Sequence, residues 1–473
     1  MDKRDFDVIV VGSGPNGLAA AITLQQEGLS VLLVEGKDTI GGGLRSAQVT
    51  LPGFIHDLCS AIHPMAVASP FFSSLPLHKH GLEFIQPEYA AAHPFDDGSA
   101  AVLSNSLDVT AASLGNDAEK YRKLIGIQVK NFDKLLPDIL GPLHIPNHPL
   151  PLIQFGLQAL KPADTLAKYF TTKEAQGLWA GMAAHSILPL SKLATSAIGL
   201  VLLSAAHARG WPIPKGGSAS IAQALASYFV SIGGKIETNF YVRSLEQLPS
   251  AHAIIFDTTP RQLLQIAGHK FSPVYKKQLQ RYRYGMGVFK VDWALDGPVP
   301  FTAAACRAAG TVHIGNTWQE IAASEQTSWS GKHAEQPFVL LAQQSVFDET
   351  RAPQGKHTLW GYCHVPNGST VDMTGIIEKQ VERFAPGFRD RILARQTMNT
   401  EQMELHNPNY IGGDINGGAI TIDQLFTRPA LRFSPYRTSA KGLYIGSAST
   451  PPGGGVHGMS GYHAARKVLQ DIF

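Results

Sequence analysis

The sequence is poor in cysteine, and the few cysteines it has are widely separated. Cys59, Cys306 and Cys363 are the only three in 473 residues, and no two of them form a C-x-x-C pair. Zinc-binding and dithiol redox centres both need such clustered thiols, so we expect neither, and we expect no metal site. Isolated cysteines also suit a reducing compartment, which indicates a cytoplasmic protein.

The sequence is equally short of charge and of long apolar runs. Charged residues make up 16% of the chain and the formal net charge is +3. With no run of Lys and Arg, this small excess indicates no nucleic-acid partner. The longest apolar run, 197–206, is too short to span a bilayer. A strand predicted within the first ten residues leaves no room for a targeting peptide. These absences favour a large globular protein of two or three domains.

Glycine is plentiful, and its first cluster follows an apolar run near the start of the chain. Residues 8–11 predict a strand buried on both faces, and a predicted helix over 18–26 leads to a second strand over 31–34. Between strand and helix, Gly12, Gly14 and Gly17 have G-x-G-x-x-G spacing. In a βαβ nucleotide-binding unit, they permit the turn, the approach of a pyrophosphate and the close packing of the helix, respectively.

Glu35 ends the second predicted strand, near the spacing of ~20 residues expected for a carboxylate that binds a ribose. A carboxylate repels a 2′-phosphate, which leaves NAD or FAD as the dinucleotide. The predicted site also includes the residues beside these glycines and this carboxylate: Ser13, Pro15, Asn16 and Gly36.

A second glycine-rich turn follows the second strand, with Gly42, Gly43, Leu44 and Arg45 in sequence. Such a turn with an arginine can lie along the far side of the same pyrophosphate. The alternative is a flexible loop with a solvated arginine.

The middle of the chain has a different pattern. Residues 75–203 alternate predicted helices, such as 117–136, with Pro-rich connections, and we interpret them as a mainly helical insertion. Their apolar stretch 148–160 is predicted to be core or tunnel lining, with a membrane-dipping face as the alternative. Strand-like segments then dominate from 282 to 362 and predict a second sheet that forms the floor of a substrate site.

The chain closes on a further glycine-rich loop, 451–461, between a predicted strand (443–445) and a predicted helix (462–473). Gly453, Gly455 and Gly458 again have G-x-G-x-x-G spacing. No further strand or acidic ribose partner follows them, so we reject a second Rossmann unit. The loop instead directs a helix N-terminus at an electron-rich ligand.

Together these segments resemble the phytoene desaturase-like FAD oxidoreductases, in particular a subgroup named after a pyridine nucleotide-disulfide oxidoreductase domain. The resemblance covers essentially the whole chain and includes WPIPKGGSASIAQAL, DTTPRQLL and LYIGSASTPPGGGVHGMSGYHAA. It implies an α/β fold of amine oxidase or phytoene desaturase type, with FAD as cofactor. A discontinuous Rossmann-like FAD-binding domain would comprise 1–74, 206–262 and 435–473. An α+β substrate domain with a helical insertion would comprise 75–205 and 263–434. Disulfide reductase chemistry is contradicted, since there is no cysteine pair.

The resemblance also implies roles for individual residues at the cofactor. The ADP half would be held by Gly12, Gly14, Gly17, Glu35, Gly42 and Arg45. Val242 would hold the adenine through its backbone, and Gly446, Gly455 and Val456 would lie beside the ribityl chain and the flavin. Met459, in the glycine-rich loop, is also assigned to the cofactor site, and the dipole of the terminal helix would stabilise negative charge on the reduced ring.

Three residues are candidates for catalysis: Lys290, His457 and His63. Lys290 interrupts an apolar alternation and shares one strand face with Val288 and Asp292. Its strand resembles the one in flavin amine oxidases that carries a lysine facing flavin N5, while an ion pair with Asp292 is the alternative. His457 lies in the terminal glycine run, where a structural role in the loop competes with proton transfer. His63 belongs to the segment 52–64, and lone histidines are more often structural.

The resemblance implies hydride transfer between flavin N5 and a C–C or C–H bond of a hydrophobic, lipid- or isoprenoid-like substrate. One alternative is a flavin amine oxidase-like enzyme acting on C–N bonds, with an aromatic cage drawn from Trp293, Trp318, Trp360 and Tyr362. The other is an FAD-binding interaction protein without turnover. The expected partner is a small hydrophobic substrate, with peripheral membrane contact possible, and the oligomeric state stays open.

Overall fold

The structure, a computed structural model, describes residues 4–473. Its strands are β1 (Phe6–Val11), β2 (Val31–Val34), β3 (Ser46–Ala47), β4 (His56–Asp57), β5 (Phe84–Ile85), β6 (Tyr89–Pro94), β7 (Ala100–Leu103), β8 (Ile213–Pro214), β9 (Lys235–Glu237), β10 (Ala251–Phe256), β11 (Gly287–Leu295), β12 (Ala309–Ile314), β13 (Val339–Ala342), β14 (His357–Val365), β15 (Ile392–Met398) and β16 (Leu443–Ile445). Its α-helices are α1 (Pro15–Gln26), α2 (Pro64–Ala68), α3 (Pro70–Ser73), α4 (Leu107–Ser113), α5 (Ala118–Lys130), α6 (Phe132–Ile139), α7 (Pro149–Ala159), α8 (Ala163–Ala167), α9 (Lys173–Ala183), α10 (Thr195–Arg209), α11 (Ala219–Ser231), α12 (Pro260–Ala267), α13 (Pro273–Gln280), α14 (Ala304–Arg307), α15 (Trp318–Trp329), α16 (Gln344–Phe347), α17 (Thr374–Phe384), α18 (Thr400–His406), α19 (Ile422–Leu425) and α20 (Met459–Ile472).

A five-stranded parallel sheet has the order β16-β10-β1-β2-β9 and draws its strands from three separate parts of the chain. On one face, Val8 and Val10 pack with helices α1, α11 and α20. On the other, Ile9 and Val11 pack with Leu263 of α12 and its neighbours. Burial on both faces is the reason that β1 appears in the sequence as an unbroken apolar run. The α/β Rossmann-like fold class is confirmed, while the domain boundaries stay a prediction.

Two glycines bring helices close to the edge of this sheet. A Cβ added at Gly17 of α1 would lie 1.8 Å from the carbonyl oxygen of Gly12, and one at Gly461 of α20 would lie 1.7 Å from that of Asn16. Any side chain at either position would force the backbones apart. The Gly461 contact packs α20 against α1, and it was not apparent from the sequence.

A seven-stranded sheet has the order β15-β11-β14-β13-β12-β6-β7, antiparallel except for the β6–β12 pair. In β11, Phe289, Val291 and Trp293 pack on the face covered by α17. Val288 is on the opposite face, with the side chains of α9 and α10. The predicted alternation along this strand is therefore confirmed.

Elsewhere the structure corrects the predicted elements. The region 75–203 is not wholly helical, because β6 and β7 join the seven-stranded sheet. β6 contains three consecutive alanines, which have little intrinsic preference for a strand, so pairing with β7 and β12 determines its conformation. The helix expected over 117–136 is divided at Asn131 into α5 and α6. The alternating pattern of residues 235–245 predicts one strand, but β9 ends at Glu237.

The apolar stretch that contains α7 is also corrected. Phe155 and Ala159 are buried, as expected of core residues. Leu150, Ile153 and Leu157, however, are 71%, 57% and 65% exposed. The prediction of core or tunnel lining is therefore wrong for most of the large side chains of α7. No helix within residues 4–473 is long and apolar enough to cross a membrane.

Candidate functional site

One continuous cavity is lined by the carboxyl ends of the parallel strands and by one face of the seven-stranded sheet. Ligands of open α/β sheets bind at this edge of the parallel strands. Thirteen of the residues predicted to bind the cofactor line the cavity: Gly12, Ser13, Gly14, Pro15, Asn16, Glu35, Gly36, Gly42, Gly43, Arg45, Val242, Gly455 and Val456.

The glycines of the turn between β1 and α1 expose their backbone to this cavity. Gly12 has a φ of +101°, and Gly14 caps α1 without a side-chain hydrogen bond. A Cβ at Gly14 would lie 2.7 Å from Asp257 Oδ2, and one at Gly42 would lie 3.1 Å from the Cα of Gly14. The absence of side chains leaves the α1 N-terminus and its positive dipole end open to an anionic group, as a pyrophosphate requires.

Glu35 and Arg45 form a fixed polar pair at the end of β2. Glu35 Oε2 accepts hydrogen bonds from the backbone N–H and the hydroxyl of Ser13, at 3.1 and 2.5 Å. Glu35 Oε1 accepts from the N–H of Lys37 at 2.9 Å and lies 3.3 Å from Arg45 Nη2. Arg45 is 8% exposed and also donates to the carbonyl of Thr39. The alternative of a solvated arginine on a flexible loop does not describe this structure.

Four predicted cofactor residues do not line the cavity but pack behind it. Gly17 donates its N–H to Asp257 Oδ2 at 3.0 Å. Leu44 is fully buried in the core of the parallel sheet. A Cβ at Gly446 would lie 2.6 Å from that of Ala464, and Met459 is buried at the start of α20. Their contribution to the site is to position the backbone around it.

Asp257 is a site residue that the sequence reasoning missed. It follows β10, lines the cavity beside Glu35 and caps α1 through Gly17. Burial, with a smaller contribution from the nearby Glu35 carboxylate, raises its pKa to about 7, although the hydrogen bond from Gly17 opposes this change. The available signal was its position after a strand of the parallel sheet, where ligands are expected.

The terminal loop supports α20 through His457. Its Nδ1 accepts a hydrogen bond from the N–H of Met459 at 3.0 Å, and its carbonyl accepts one from the hydroxyl of Ser69 at 2.6 Å. Burial lowers the pKa of His457 to about 4, so the ring is neutral. It does not line the cavity, although Gly455 and Val456 do. This geometry favours the structural role over proton transfer.

Lys290 lines the cavity although it is almost fully buried. Its ammonium is paired with Asp292 and lies 5.9 Å from the centre of the Trp360 ring. Burial raises the pKa of Asp292 to about 6, while the charge of Lys290 opposes that change. His56 Nδ1 lies 3.7 Å from Asp292 Oδ1. The ion pair given as the alternative is therefore present, and it lies at the cavity wall.

His63 also lines the cavity, held by a structural network. The hydroxyl of Ser218 donates to the carbonyl of Ser60, so the 2.8 Å contact between this oxygen and His63 Nε2 is a hydrogen bond donated by the histidine. Burial lowers the pKa of His63 to about 4. Asp57, which accepts from the N–H of Ser218, forms a buried ion pair with Arg351. The segment 52–64 is thus anchored mainly by structural contacts.

The wall formed by the seven-stranded sheet and the helical layer is largely apolar and aromatic. It includes side chains from seven separate parts of the chain: Met65, His185, Ile187, Leu202, Trp211, Leu340, Trp360, Tyr362 and Tyr410. Of the four residues proposed as an aromatic cage, Trp360 and Tyr362 line the cavity. Trp293 lies on the opposite sheet face and donates to Glu378, and Trp318 does not line the cavity. His185, Trp211 and Tyr410 were missed, since nothing local in the sequence marks them.

Cys59, Cys306 and Cys363 are all free thiols. Within residues 4–473 no three His, Cys, Asp or Glu side chains are grouped as a metal site would require.

Comparisons with known proteins show that this chain is similar to others over nearly its whole length and not only in the βαβ unit. Residues 10–74 match the family of NAD(P)-binding Rossmann-like domains. The pyridine nucleotide-disulfide oxidoreductase domain-containing protein 2 of Rattus norvegicus is 25% identical, over 99% of this chain and 94% of that protein. The lycopene-forming phytoene desaturase of Pseudescherichia vulneris is 23% identical, over 98% of this chain and 99% of the desaturase. Among solved structures, cyclohexylamine oxidase from Brevibacterium oxydans has the same fold, with a TM-score of 0.62 and 16% identity over 99% of both chains.

The fold and its cavity thus define a Rossmann-like α/β protein with a second, mixed sheet. The chain is similar over nearly its full length to pyridine nucleotide-disulfide oxidoreductase domain-containing protein 2 and to lycopene-forming phytoene desaturases. The predicted resemblance is confirmed.

Proposed function

We propose that this protein binds FAD non-covalently and oxidises or reduces a C–C or C–H bond of a hydrophobic, lipid- or isoprenoid-like substrate. The observation that carries the proposal is the continuity of the cavity. A glycine-lined floor beside Glu35 suits a dinucleotide, and it opens directly onto an apolar and aromatic wall. FAD would supply a hydride acceptor or donor at N5, and the protein would supply orientation and a dry chamber.

The residues of the parallel sheet would hold the cofactor. The N-terminus of α1 would bind the pyrophosphate, and Glu35 would accept hydrogen bonds from the ribose. Val242, which lines the cavity after β9, would contact the adenine through its backbone. Lys290, paired with Asp292, would present a positive charge on the opposite wall, where it would stabilise negative charge that develops on the flavin.

The charge distribution supports a neutral substrate. Glu35 and Asp257 are the carboxylates that line the described cavity, and both lie at the edge of the parallel sheet. The wall formed by the seven-stranded sheet contributes no carboxylate that would hold an ammonium group. An apolar substrate leaves no buried charge unpaired there.

A second candidate is an oxidase acting on C–N bonds. The edge-to-face pair of Trp360 and Tyr362, with ring centres 5.2 Å apart, favours it because such rings can enclose an uncharged amine. The fold shared with cyclohexylamine oxidase is compatible with either chemistry.

We also propose that the protein is cytoplasmic and contacts membranes peripherally through the segment 139–160. This segment has no Asp, Glu, Lys or Arg, yet it exposes Leu143, Ile145 and Leu150 by 71% or more. The N–H of Ala194 donates to the carbonyl of Leu160, which brings Lys192 beside the end of the segment. An apolar face with the cation of Lys192 beside it fits an anionic bilayer surface.

Purification and anaerobic titration test the proposed function. We expect a yellow protein that releases one FAD per chain into the supernatant after acid precipitation. Anaerobic addition of long-chain hydrophobic compounds should bleach the flavin, whereas aliphatic amines should not. Bleaching by amines alone would favour the second candidate. Flavin left on the pellet would contradict non-covalent binding, and a flavin that even dithionite fails to reduce would favour an interaction protein.

A further inference from the structure

A pair of histidines at the cavity wall lies outside the set of residues assigned to the cofactor. His185, which follows α9, lines the cavity, and its Nε2 lies 3.0 Å from Nε2 of His313 on β12. His313 is fully buried behind it. Burial lowers the pKa of His185 to about 3 and that of His313 well below its ordinary value, so both rings are neutral.

The hydrogen bond between two neutral imidazoles fixes which ring nitrogen carries each proton. Nδ1 of His313 is buried without a partner in the described structure. A buried N–H without an acceptor is rarer than a buried acceptor without a donor. His313 therefore carries its proton on Nε2 and donates to His185 Nε2, so His185 must carry its own proton on Nδ1. This N–H has no acceptor among the described residues and belongs to a side chain that lines the cavity.

Thr311 supplies a second donor to the same wall. It precedes His313 by two residues on β12 and so lies on the same face of the sheet, and it also lines the cavity. Its Oγ1 accepts a hydrogen bond from Trp211 Nε1 at 2.9 Å. The hydroxyl hydrogen of Thr311 has no acceptor in the described structure, so it stays available to donate to a ligand.

We propose that His185 and Thr311 bind a carbonyl or hydroxyl oxygen of an otherwise apolar substrate. The inference rests on the proposed function and narrows its substrate class. Two neutral donors on an apolar wall suit an uncharged oxygen with two lone pairs. A pure hydrocarbon would leave both donors unsatisfied. A carboxylate would need a cation, and the Lys290 ammonium at this cavity is already paired with Asp292.

Three probes of equal chain length test this class: n-decane, 2-decanone and decanoate. Binding is followed by quenching of tryptophan fluorescence, because Trp211 and Trp360 line the cavity, and by the carbonyl stretch of ¹³C-labelled 2-decanone in isotope-edited infrared spectra. We expect 2-decanone to bind about tenfold more tightly than n-decane or decanoate, as one or two hydrogen bonds allow. Its carbonyl band should lie below the frequency it has in hexane.

His185→Phe keeps a ring but removes the donor, and Thr311→Val keeps the shape but removes the hydroxyl. Each should reduce the preference for the ketone and shift the carbonyl band toward its position in hexane, while n-decane binds as before. His185→Gln, which restores a donor, should recover part of the preference. His333→Phe is the matched control, since His333 bonds to Ser369 and does not line the cavity.

Equal binding of 2-decanone and n-decane, tighter binding of decanoate, or an unchanged carbonyl band in both His185→Phe and Thr311→Val would overturn the proposal. Far-UV circular dichroism verifies that each variant is folded. Absence of FAD from the purified protein would contradict the proposed function instead, because fluorescence and infrared readouts of probe binding need no flavin.

Discussion

At the scale of single residues, the site relies on charged groups that also hold each other in place. Glu35 accepts from the backbone N–H groups of Ser13 and Lys37 and pairs with Arg45, all before any ligand is considered. Removing its side chain would leave the buried guanidinium of Arg45 without its anion, at a cost in stability as well as in binding. An isosteric replacement therefore tests binding better than a truncation.

We predict that Glu35→Gln weakens FAD binding about tenfold or more, because a charged acceptor for the ribose becomes a neutral one. The measurement is the titration of apoprotein with FAD. Glu237→Gln, at the exposed end of the neighbouring strand β9, is the control and should bind FAD normally. Equal affinity in Glu35→Gln and wild type would remove Glu35 from the site.

Lys290 is tested by separating its charge from its ion pair. We predict that Lys290→Met slows reoxidation of the reduced protein by oxygen at least about tenfold, because a positive charge near the reaction centre is lost. Asp292→Asn keeps the ammonium and should reoxidise nearly as fast as wild type, although it also breaks the pair. Stopped-flow mixing of dithionite-reduced protein with oxygen measures both rates. A purely structural Lys290 would give unaltered rates in both variants and a similar loss of stability in each.

At the scale of elements, α7 is the part of the fold that differs most from the expectation for a core helix. Its sequence is apolar enough for the interior, but only Phe155 and Ala159 are buried. The helix packs against α10, and α10 contributes Leu202 to the cavity. A surface element with this composition thus covers the helical layer whose inner side lines the site, which suits uptake of an apolar substrate from a lipid surface.

We predict that the triple variant Leu150→Gln, Ile153→Gln, Leu157→Gln lowers binding to vesicles containing phosphatidylglycerol at least tenfold, since three exposed apolar side chains are lost. Co-sedimentation with the vesicles gives the bound fraction. The control replaces three similarly exposed apolar residues elsewhere, Val274, Leu405 and Leu431, with Gln. If both triple variants bind equally, α7 is not the contact.

At the scale of the whole molecule, the chain buries many neutral histidines. Burial lowers the pKa of ten of them: His56, His63, His93, His185, His207, His313, His357, His406, His457 and His463. A base whose folded pKa is lowered binds fewer protons in the folded state than in the unfolded state. Stability therefore falls as pH drops below the ordinary histidine pKa of about 6.5. Asp257 and Asp292 act in the opposite direction, because their raised pKa values favour the folded state at low pH.

We predict that the free energy of unfolding decreases from pH 7.5 to pH 5, because the chain takes up several protons when it unfolds. Each proton taken up changes the free energy of unfolding by about 1.4 kcal/mol per pH unit. Guanidinium unfolding of the holoprotein at a series of pH values measures the slope. Asp257→Asn removes an opposing group and should make the decrease steeper. A flat profile between pH 7.5 and 5 would show that these histidines are not neutral when folded.

The sequence alone determined the Rossmann unit, the terminal glycine loop and the alternation around Lys290. These features depend on local rules: a turn that requires glycine, a strand buried on both faces, and a period of two residues. Their residue numbers could be read directly, and β2 and β16 have the predicted bounds.

Only the tertiary structure decided what surrounds the cofactor residues. Asp257 lies beside Gly17 because β10 pairs with β1 across more than two hundred residues of sequence. His185 faces the cavity because His313, on a distant strand, holds its ring. The outer face of α7 is exposed because no other described element packs against it. An apolar sequence cannot show which of its faces will stay uncovered. Local patterns specify secondary structure, whereas contacts between remote segments specify which buried polar groups meet and which apolar faces remain uncovered.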